Sequence, residues 1–193
     1  MERSAAFSFA IVLALSVAFA ALTSLPEDRA VASQNDSRLD ELFAKLLTEE
    51  DPALIRSIES RIWRIWLEAD DAATQGDLTR GMEAMNAGDA RTALDVFKAV
   101  VEASPDFAEG WNKRATLYYL MGDHAASIAD IERTLALEPR HFGALSGLAL
   151  IHEAAGRWFE ALEALDQVRR IHPQMSGLEE RLDHISKQLG QAV

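Results

Sequence analysis

A spacing of 34 residues constrains the fold of this 193-residue chain more than any other feature of its sequence. Two kinds of residue that interrupt helices, proline and glycine, each recur three times at this spacing. The prolines are Pro105, Pro139 and Pro173, and the glycines are Gly88, Gly122 and Gly156. Units of this length stack into solenoids, because one unit alone cannot bury its apolar face. The sequence therefore predicts three tandem copies of one structural unit.

The residues between these marks predict two antiparallel helices in each copy. The chain has only 5 Pro and 10 Gly, too few for an all-β protein with many turns. A glycine is well suited to end the first helix, because a left-handed conformation costs it little. Small residues such as Gly81 and Ala115 let the helices approach closely, and Phe97 and Ile131 are their large partners. The fold class predicted is all-α.

The middle copy, residues 108–141, carries the fullest version of a known motif. Trp, Gly, Tyr, Gly, Phe and Pro of the tetratricopeptide-repeat (TPR) family correspond here to Trp111, Ala115, Tyr118, Gly122, Ile131 and Pro139. The sequence thus resembles that family over residues 74–175. The resemblance implies a TPR-type α-solenoid of three 34-residue helix-turn-helix repeats, at residues 74–107, 108–141 and 142–175.

Both flanks of the repeats are predicted to be helical. Residues 33–73 read as an N-terminal helical hairpin, and counting back one period makes 40–73 a candidate for a degenerate fourth repeat at the front. In the preferred interpretation Trp63 and Trp66 pack on the first repeat. The alternative is an exposed aromatic patch for a partner or a membrane surface. Residues 176–193 are expected to form a C-terminal capping helix that covers the last repeat.

The first 32 residues predict export. The run from Ala5 to Leu22 carries no charge, and the segment 30–32 fits the small-x-small pattern of a cleavage site. We expect residues 1–32 to be a signal peptide cleaved after Ala32, which makes the protein periplasmic. The run is nearly long enough to span a bilayer, so the alternative is an uncleaved inner-membrane anchor with the repeats outside the cytoplasm. Membrane contact is expected only through this segment, if it is uncleaved.

Composition and motifs argue against several classes of function. A net charge of −12 disfavours contact with nucleic-acid phosphates. The absence of Cys removes disulfides, thiolate zinc sites and a cysteine nucleophile. His152-Glu153 begins a zinc-protease pattern, but Gly156 stands where its second His is required. We therefore expect no enzyme activity, no metal site and no cofactor.

The TPR resemblance implies a ligand site on the concave face, lined by the first helix of each repeat. The implied peptide-binding groove consists of Met82, Met85, Asn86, Glu109, Asn112, Thr116, Tyr119, Leu120, Ser146, Leu150 and Glu153. These side chains offer adaptable apolar contact and hydrogen bonds to a peptide backbone. A terminal helix of the same chain that partly fills the groove is also left open.

The expected function is that of an adaptor or scaffold that binds a protein or peptide client in this groove, outside the cytoplasm. The alternative is a structural subunit of an envelope assembly that uses its convex or end surfaces. Repeat folds serve many unrelated partners, so the repeats themselves do not choose between the two. The oligomeric state is left open.

Overall fold

The computed structural model describes residues 33–191, and each long element in this range is an α-helix. The helices are α1 (Arg38–Thr48), α2 (Pro52–Trp66), α3 (Ala72–Asn86), α4 (Ala90–Ala103), α5 (Ala108–Leu120), α6 (His124–Leu137), α7 (Phe142–Ala154), α8 (Trp158–Ile171) and α9 (Leu178–Gln191). None of them is long and apolar enough to cross a membrane. The all-α prediction is confirmed, whereas the interpretation of residues 1–32 concerns residues outside this range.

Three helix pairs, α3–α4, α5–α6 and α7–α8, follow one another with the spacing seen in the sequence. In each pair a glycine with positive φ comes shortly after the first helix, with φ of 78° at Gly88, 80° at Gly122 and 68° at Gly156. A residue with a Cβ would be strained in this conformation, which explains why glycine recurs. In the first two pairs the next residue is an aspartate whose carboxylate caps the second helix.

Close contact between the two helices of a pair depends on the small residues noted in the sequence. In the first pair, a Cβ added to Gly81 would lie 2.5 Å from a ring carbon of Phe97. In the second, the Ser127 hydroxyl donates to the Ala115 carbonyl over 2.8 Å, so a side chain of one helix is hydrogen-bonded to the backbone of the other. Solvent is almost excluded from these contacts, because Phe97 and Ser127 are both almost fully buried.

We expect Gly81→Ala to lower the free energy of unfolding by about 1–3 kcal/mol, because the new methyl group overlaps the Phe97 ring. Gly76→Ala, in the same helix, is the matched control. Beyond the backbone of its own helix and its chain neighbours, no atom lies within 4 Å of the Cβ it would add, so this change should stabilise the helix by up to about 1 kcal/mol. Urea unfolding of both variants gives the two values. Equal shifts of the same sign would contradict the close approach of α3 and α4.

The N-terminal hairpin, α1 and α2, does not stack on the front of the array as a fourth repeat. Its buried side chains share one core with α7, α8 and α9. Trp63 and Trp66, which were expected to pack on the first repeat, contact Phe142 instead, with ring centroids 5.6 Å and 5.1 Å away. That expectation was wrong because the start of α7 offers two aromatic rings, His141 and Phe142, against which the indoles pack.

The hairpin segment lies along the edge of the array where each repeat joins the next. At the first junction the Gln34 side-chain amide donates to the carbonyl of Asp106 over 2.7 Å. At the second, Arg140 donates to Asp40 over 2.7 Å, and its guanidinium lies 4.5 Å from the centre of the Phe43 ring. The N-terminal segment thus contacts the repeat array at two successive junctions between repeats.

The third junction lies beside α9, the predicted capping helix. The buried His172 pairs through Nε2 with Glu59 of α2. Three apolar residues on one face of α9, Leu178, Leu182 and Ile185, are buried in the core shared with the hairpin. The last repeat is therefore covered by both terminal elements of the described chain.

Candidate functional site

A cavity of about 280 Å³ opens on the concave face between α5 and α7. Five of the residues implied by the TPR resemblance line it, namely Asn112, Thr116, Tyr119, Leu120 and Leu150. Leu120 is 65% exposed and Leu150 is 41% exposed. Large apolar side chains that border a concave cavity are typical of a surface that another molecule covers.

The other residues that line this cavity were not among the predicted groove residues, although Gly143 occupies one of the positions that face the groove in the resembled family. They are Ala115, Ser127, Ile131, Gly143, Ala144, Gly147 and Ile151. The sequence does contain a signal for this part of the cavity. The two glycines of α7, Gly143 and Gly147, lie about one helical turn apart. Glycine inside a helix costs about 0.5–1 kcal/mol relative to alanine, so a pair of them indicates a helix face that must stay free of side chains.

Three predicted groove residues lie apart from this cavity, on α3. Met82 and Asn86 line a separate depression of similar volume, together with residues of the first repeat. Met85 is partly buried against the core of that repeat. The structure therefore does not bring the α3 residues and the α5–α7 residues into one pocket.

Glu109, also predicted to line the groove, lies beneath the surface. Its side chain is fully buried and accepts from Asn112 over 3.0 Å and from His141 over 2.9 Å. Its second oxygen lies 2.8 Å from the ammonium group of Lys113. Trp66 of the hairpin stacks on His141, the hydrogen-bond partner of Glu109, with ring centroids 4.1 Å apart. Glu109 is thus a structural residue here and is removed from contact with a ligand.

The hydrogen bonds define the charge state of this buried group. His141 Nδ1 accepts the backbone N–H of Ala144, so the ring proton lies on Nε2 and is donated to Glu109. Burial by itself would raise the pKa of the Glu109 carboxyl. The His141 hydrogen bond and the nearby Lys113 charge outweigh burial and hold that pKa below its usual range. Glu109 is therefore an ionised carboxylate at neutral pH.

Ser146 and Glu153, the other predicted groove residues of the third repeat, are occupied by α9. Arg181 donates to the Ser146 hydroxyl over 2.8 Å and to a Glu153 carboxylate oxygen over 2.7 Å. A terminal helix of the chain thus takes up part of the groove, as one of the interpretations had allowed. Neither residue is free to bind a client while this contact persists.

These contacts leave a site with little net charge. The residues that line the cavity include no Lys, Arg, Asp or Glu. Lys113, next to Asn112 in the sequence, and Arg181, which donates to Ser146, are each paired with a carboxylate of the same chain. Within residues 33–191, no group of three or more His, Asp or Glu side chains is placed to hold a metal ion. The arrangement is suited to bind an apolar side chain and to hydrogen-bond a peptide backbone through Asn112 and Thr116.

Comparison with known proteins agrees with this architecture. The family model described as tetratricopeptide repeat matches residues 78–130 and 112–176. A TPR repeat-containing protein of Rhizobium etli is 35% identical over 163 residues, which span 84% of this chain and 80% of that protein.

Solved structures are similar at lower identity and support the fold alone. The TPR2B domain of yeast Sti1, in complex with an Hsp70 peptide, has a TM-score of 0.56 at 21% identity, covering 64% of this chain and 100% of that one. The first TPR domain of Spaghetti (RPAP3), bound to the HSP90 peptide SRMEEVD, has a TM-score of 0.58 at 20% identity. That match covers 61% of this chain and 93% of the other.

Proposed function

Because the chain belongs to the tetratricopeptide-repeat family, we propose that it is a protein-interaction adaptor whose client binds between α5 and α7. The observation that carries this proposal is the apolar cavity on the concave face, bordered by the exposed Leu120 and Leu150. TPR folds serve as protein-interaction modules, and we propose no catalytic role. The client is a protein or peptide, and we expect neither nucleic acid nor a cofactor.

The chemistry of the cavity indicates what part of a client it binds. Two similar structures hold chaperone peptides, one of them the acidic SRMEEVD. Here Lys113 and Arg181 are already paired with Glu109 and Glu153, so an acidic peptide end would find no unpaired cation in the cavity. We therefore propose that this client presents an apolar side chain and is held through its backbone.

Crosslinking in intact cells tests the groove. A photoreactive residue at Tyr119, which lines the cavity, should capture a discrete partner, whereas one at Lys187 on α9 should not. Leu150→Asp should reduce capture from position 119 at least tenfold, because a carboxylate in an apolar cavity carries a desolvation cost. Leu47→Asp is the matched control, since Leu47 is similarly exposed (49%) and lies on α1. Equal capture by both aspartate variants would count against the groove.

The alternative is a structural subunit that docks through its outer surface. Phe159 at the start of α8 is 75% exposed and is the observation that favours it. Loss of the partner in Phe159→Ala, with normal capture in Leu150→Asp, would replace the adaptor proposal with this one.

We also propose that the repeats function outside the cytoplasm, on the strength of the uncharged run and the small-residue segment within residues 1–32. The expected mature protein begins at Ser33 and is recovered from the periplasm, which intact-mass measurement on fractionated cells would test. A membrane-bound chain of full mass would support the uncleaved anchor instead. Recovery from the cytoplasm would refute both.

A further inference from the structure

Most polar side chains that line the candidate cavity donate their hydrogen bonds inside the protein. The Asn112 amide nitrogen donates to Glu109 over 3.0 Å, and the Thr116 hydroxyl donates to the Asn112 carbonyl over 2.9 Å. The Ser127 hydroxyl donates to the Ala115 carbonyl over 2.8 Å. A hydroxyl group has a single proton, so Thr116 and Ser127 retain only lone pairs for a ligand.

Glu109 determines which end of the Asn112 amide is left for a ligand. An ionised carboxylate only accepts hydrogen bonds, so the amide must turn its nitrogen toward Glu109. The Lys113 ammonium group and the Nε2 proton of His141 bind the same carboxylate and fix its position. The amide oxygen of Asn112 lies at the other end of this planar group. It is not one of the buried side-chain atoms that lack a partner, so it is accessible to solvent.

Tyr119 is the exception among the polar residues of the lining, because its phenol can donate as well as accept. It is only half-buried, whereas Asn112 and Ser127 are 7% and 1% exposed. The more deeply placed polar side chains of the cavity therefore offer acceptors. Such groups discriminate strongly, because a buried polar atom left without a partner costs more than an exposed one.

We propose that the Glu109–Asn112 pair makes the cavity selective for an apolar ligand group that carries a hydrogen-bond donor such as an N–H. This inference rests on the proposed function of the cavity and specifies the chemistry of the group that binds there. A carbonyl or carboxylate oxygen of a ligand would face the Asn112 oxygen, and both acceptors would be left unpaired. Glu109 does not line the cavity and acts through Asn112, so it is a positioning residue.

Two uncharged probes of nearly equal size and shape test this selectivity without knowledge of the client. Indole carries an N–H donor, and benzofuran has an oxygen atom in its place. Each is titrated into the full chain, and the amide chemical shifts of α5 and α7 report binding. We expect indole to bind about three- to tenfold more tightly, the range for one net hydrogen bond. A purely apolar cavity would favour benzofuran, since the indole N–H would lose its bond to water.

The ratio of the two dissociation constants is the quantity to compare among variants, because a mutation that only loosens the fold weakens both probes together. Asn112→Leu should lower the preference for indole to about one or below, since an apolar side chain of similar size replaces the amide. Asn35→Leu is the matched control and should keep the wild-type ratio. Asn35 is exposed, precedes α1 and does not line the cavity.

Hydrogen exchange of side-chain amides tests the role of Glu109 in the wild-type protein, without a variant that removes a buried charge. The Asn112 amide protons should exchange with solvent at least tenfold more slowly than those of the exposed Asn35, because the nitrogen is held by a fully buried carboxylate. Equal exchange rates would show that Glu109 does not orient this amide and would refute the inference.

The outcomes separate this inference from the function on which it rests. A preference for indole below twofold, or an unchanged ratio in Asn112→Leu, refutes the selectivity while the cavity still binds the probes. If the wild-type protein binds neither probe, the inference is refuted, and the proposed function is refuted with it when Leu150→Asp leaves client capture unchanged. A preference of threefold or more that is lost in Asn112→Leu and kept in Asn35→Leu supports the inference.

Discussion

Replacing Trp66 by Ala is expected to lower the free energy of unfolding by about 3–5 kcal/mol, the range for removal of a large aromatic from a packed core. Trp66 is 1% exposed, and its ring stacks on His141 and packs against Trp63 and Phe142. A loss of this size is a large part of the stability of an ordinary domain. Guanidinium unfolding followed by circular dichroism measures it.

The indole of Trp66 contributes to the free energy of unfolding through its buried apolar area and its ring stacking, because its Nε1 has no hydrogen-bond partner among the described residues. Trp66→Phe, which keeps an aromatic ring, should therefore cost only about 1–2 kcal/mol. Hydrogen exchange supplies an independent measurement: the amides of α1 and α2 should lose protection in Trp66→Ala before those of α5 and α6. A change below about 1 kcal/mol in Trp66→Ala would show that the hairpin is not docked as described.

The second large effect is expected at Glu109, where Glu109→Ala should cost about 3 kcal/mol. Removing one partner of a buried ion pair typically costs 3–5 kcal/mol. The lower value is expected because the Lys113 side chain is 17% exposed and can turn its ammonium group toward water. His141 would lose the acceptor for its Nε2 proton. Urea unfolding of Glu109→Ala, Lys113→Met and the double variant gives the coupling energy, and additive effects would contradict a direct pair.

The same carboxylate should make stability depend on pH in the acid range. The pKa of Glu109 is lower in the folded chain than its ordinary value, so the folded state holds the ionised form more strongly than the unfolded state does. Its contribution is fully present above the unfolded pKa of about 4.3 and is lost as the pH falls below this value toward the folded pKa. The stability difference between wild type and Glu109→Gln should be constant above about pH 5.5 and shrink below pH 4.3. A difference that grows on acidification would contradict this assignment.

The repeated part of the fold could be predicted because its determinants are local. Gly88, Gly122 and Gly156 are required where the chain turns with positive φ, and Gly81 meets its large partner, Phe97, within one repeat. Such requirements recur at a fixed distance along the chain, and a period is visible in a single sequence.

The position of the hairpin could not be predicted in the same way. Trp63 and Trp66 occur at helical spacing, which identifies a buried face but not the surface that it covers. Their partners, His141 and Phe142, lie two repeats further along the chain, where the period alone suggests an ordinary junction. One displaced groove residue, Glu109, is linked to this difference, because it pairs with His141, on which Trp66 stacks.

The lining of the candidate cavity was predicted in part for a related reason. Asn112, Thr116, Tyr119, Leu120 and Leu150 belong to α5 and α7, whose relative placement the repeats determine, and they line one cavity. Ser146 and Glu153 were lost to Arg181, a residue outside the repeats. Contacts made by flanking helices follow no period, so the sequence pattern allowed a terminal helix in the groove but did not identify Arg181 or the residues that it binds.

The contacts of Trp63 and Trp66 with the start of α7 affect the order in which the parts of the chain can fold. A solenoid bonded only to its neighbours can form its repeats one after another as they leave the ribosome. Here Trp63 and Trp66 are synthesised before α7 and α8 exist, so their apolar surface stays exposed until the third repeat is complete. Such distant pairing slows folding and extends the period of aggregation risk. The incompletely synthesised chain therefore exposes apolar surface that the finished fold buries.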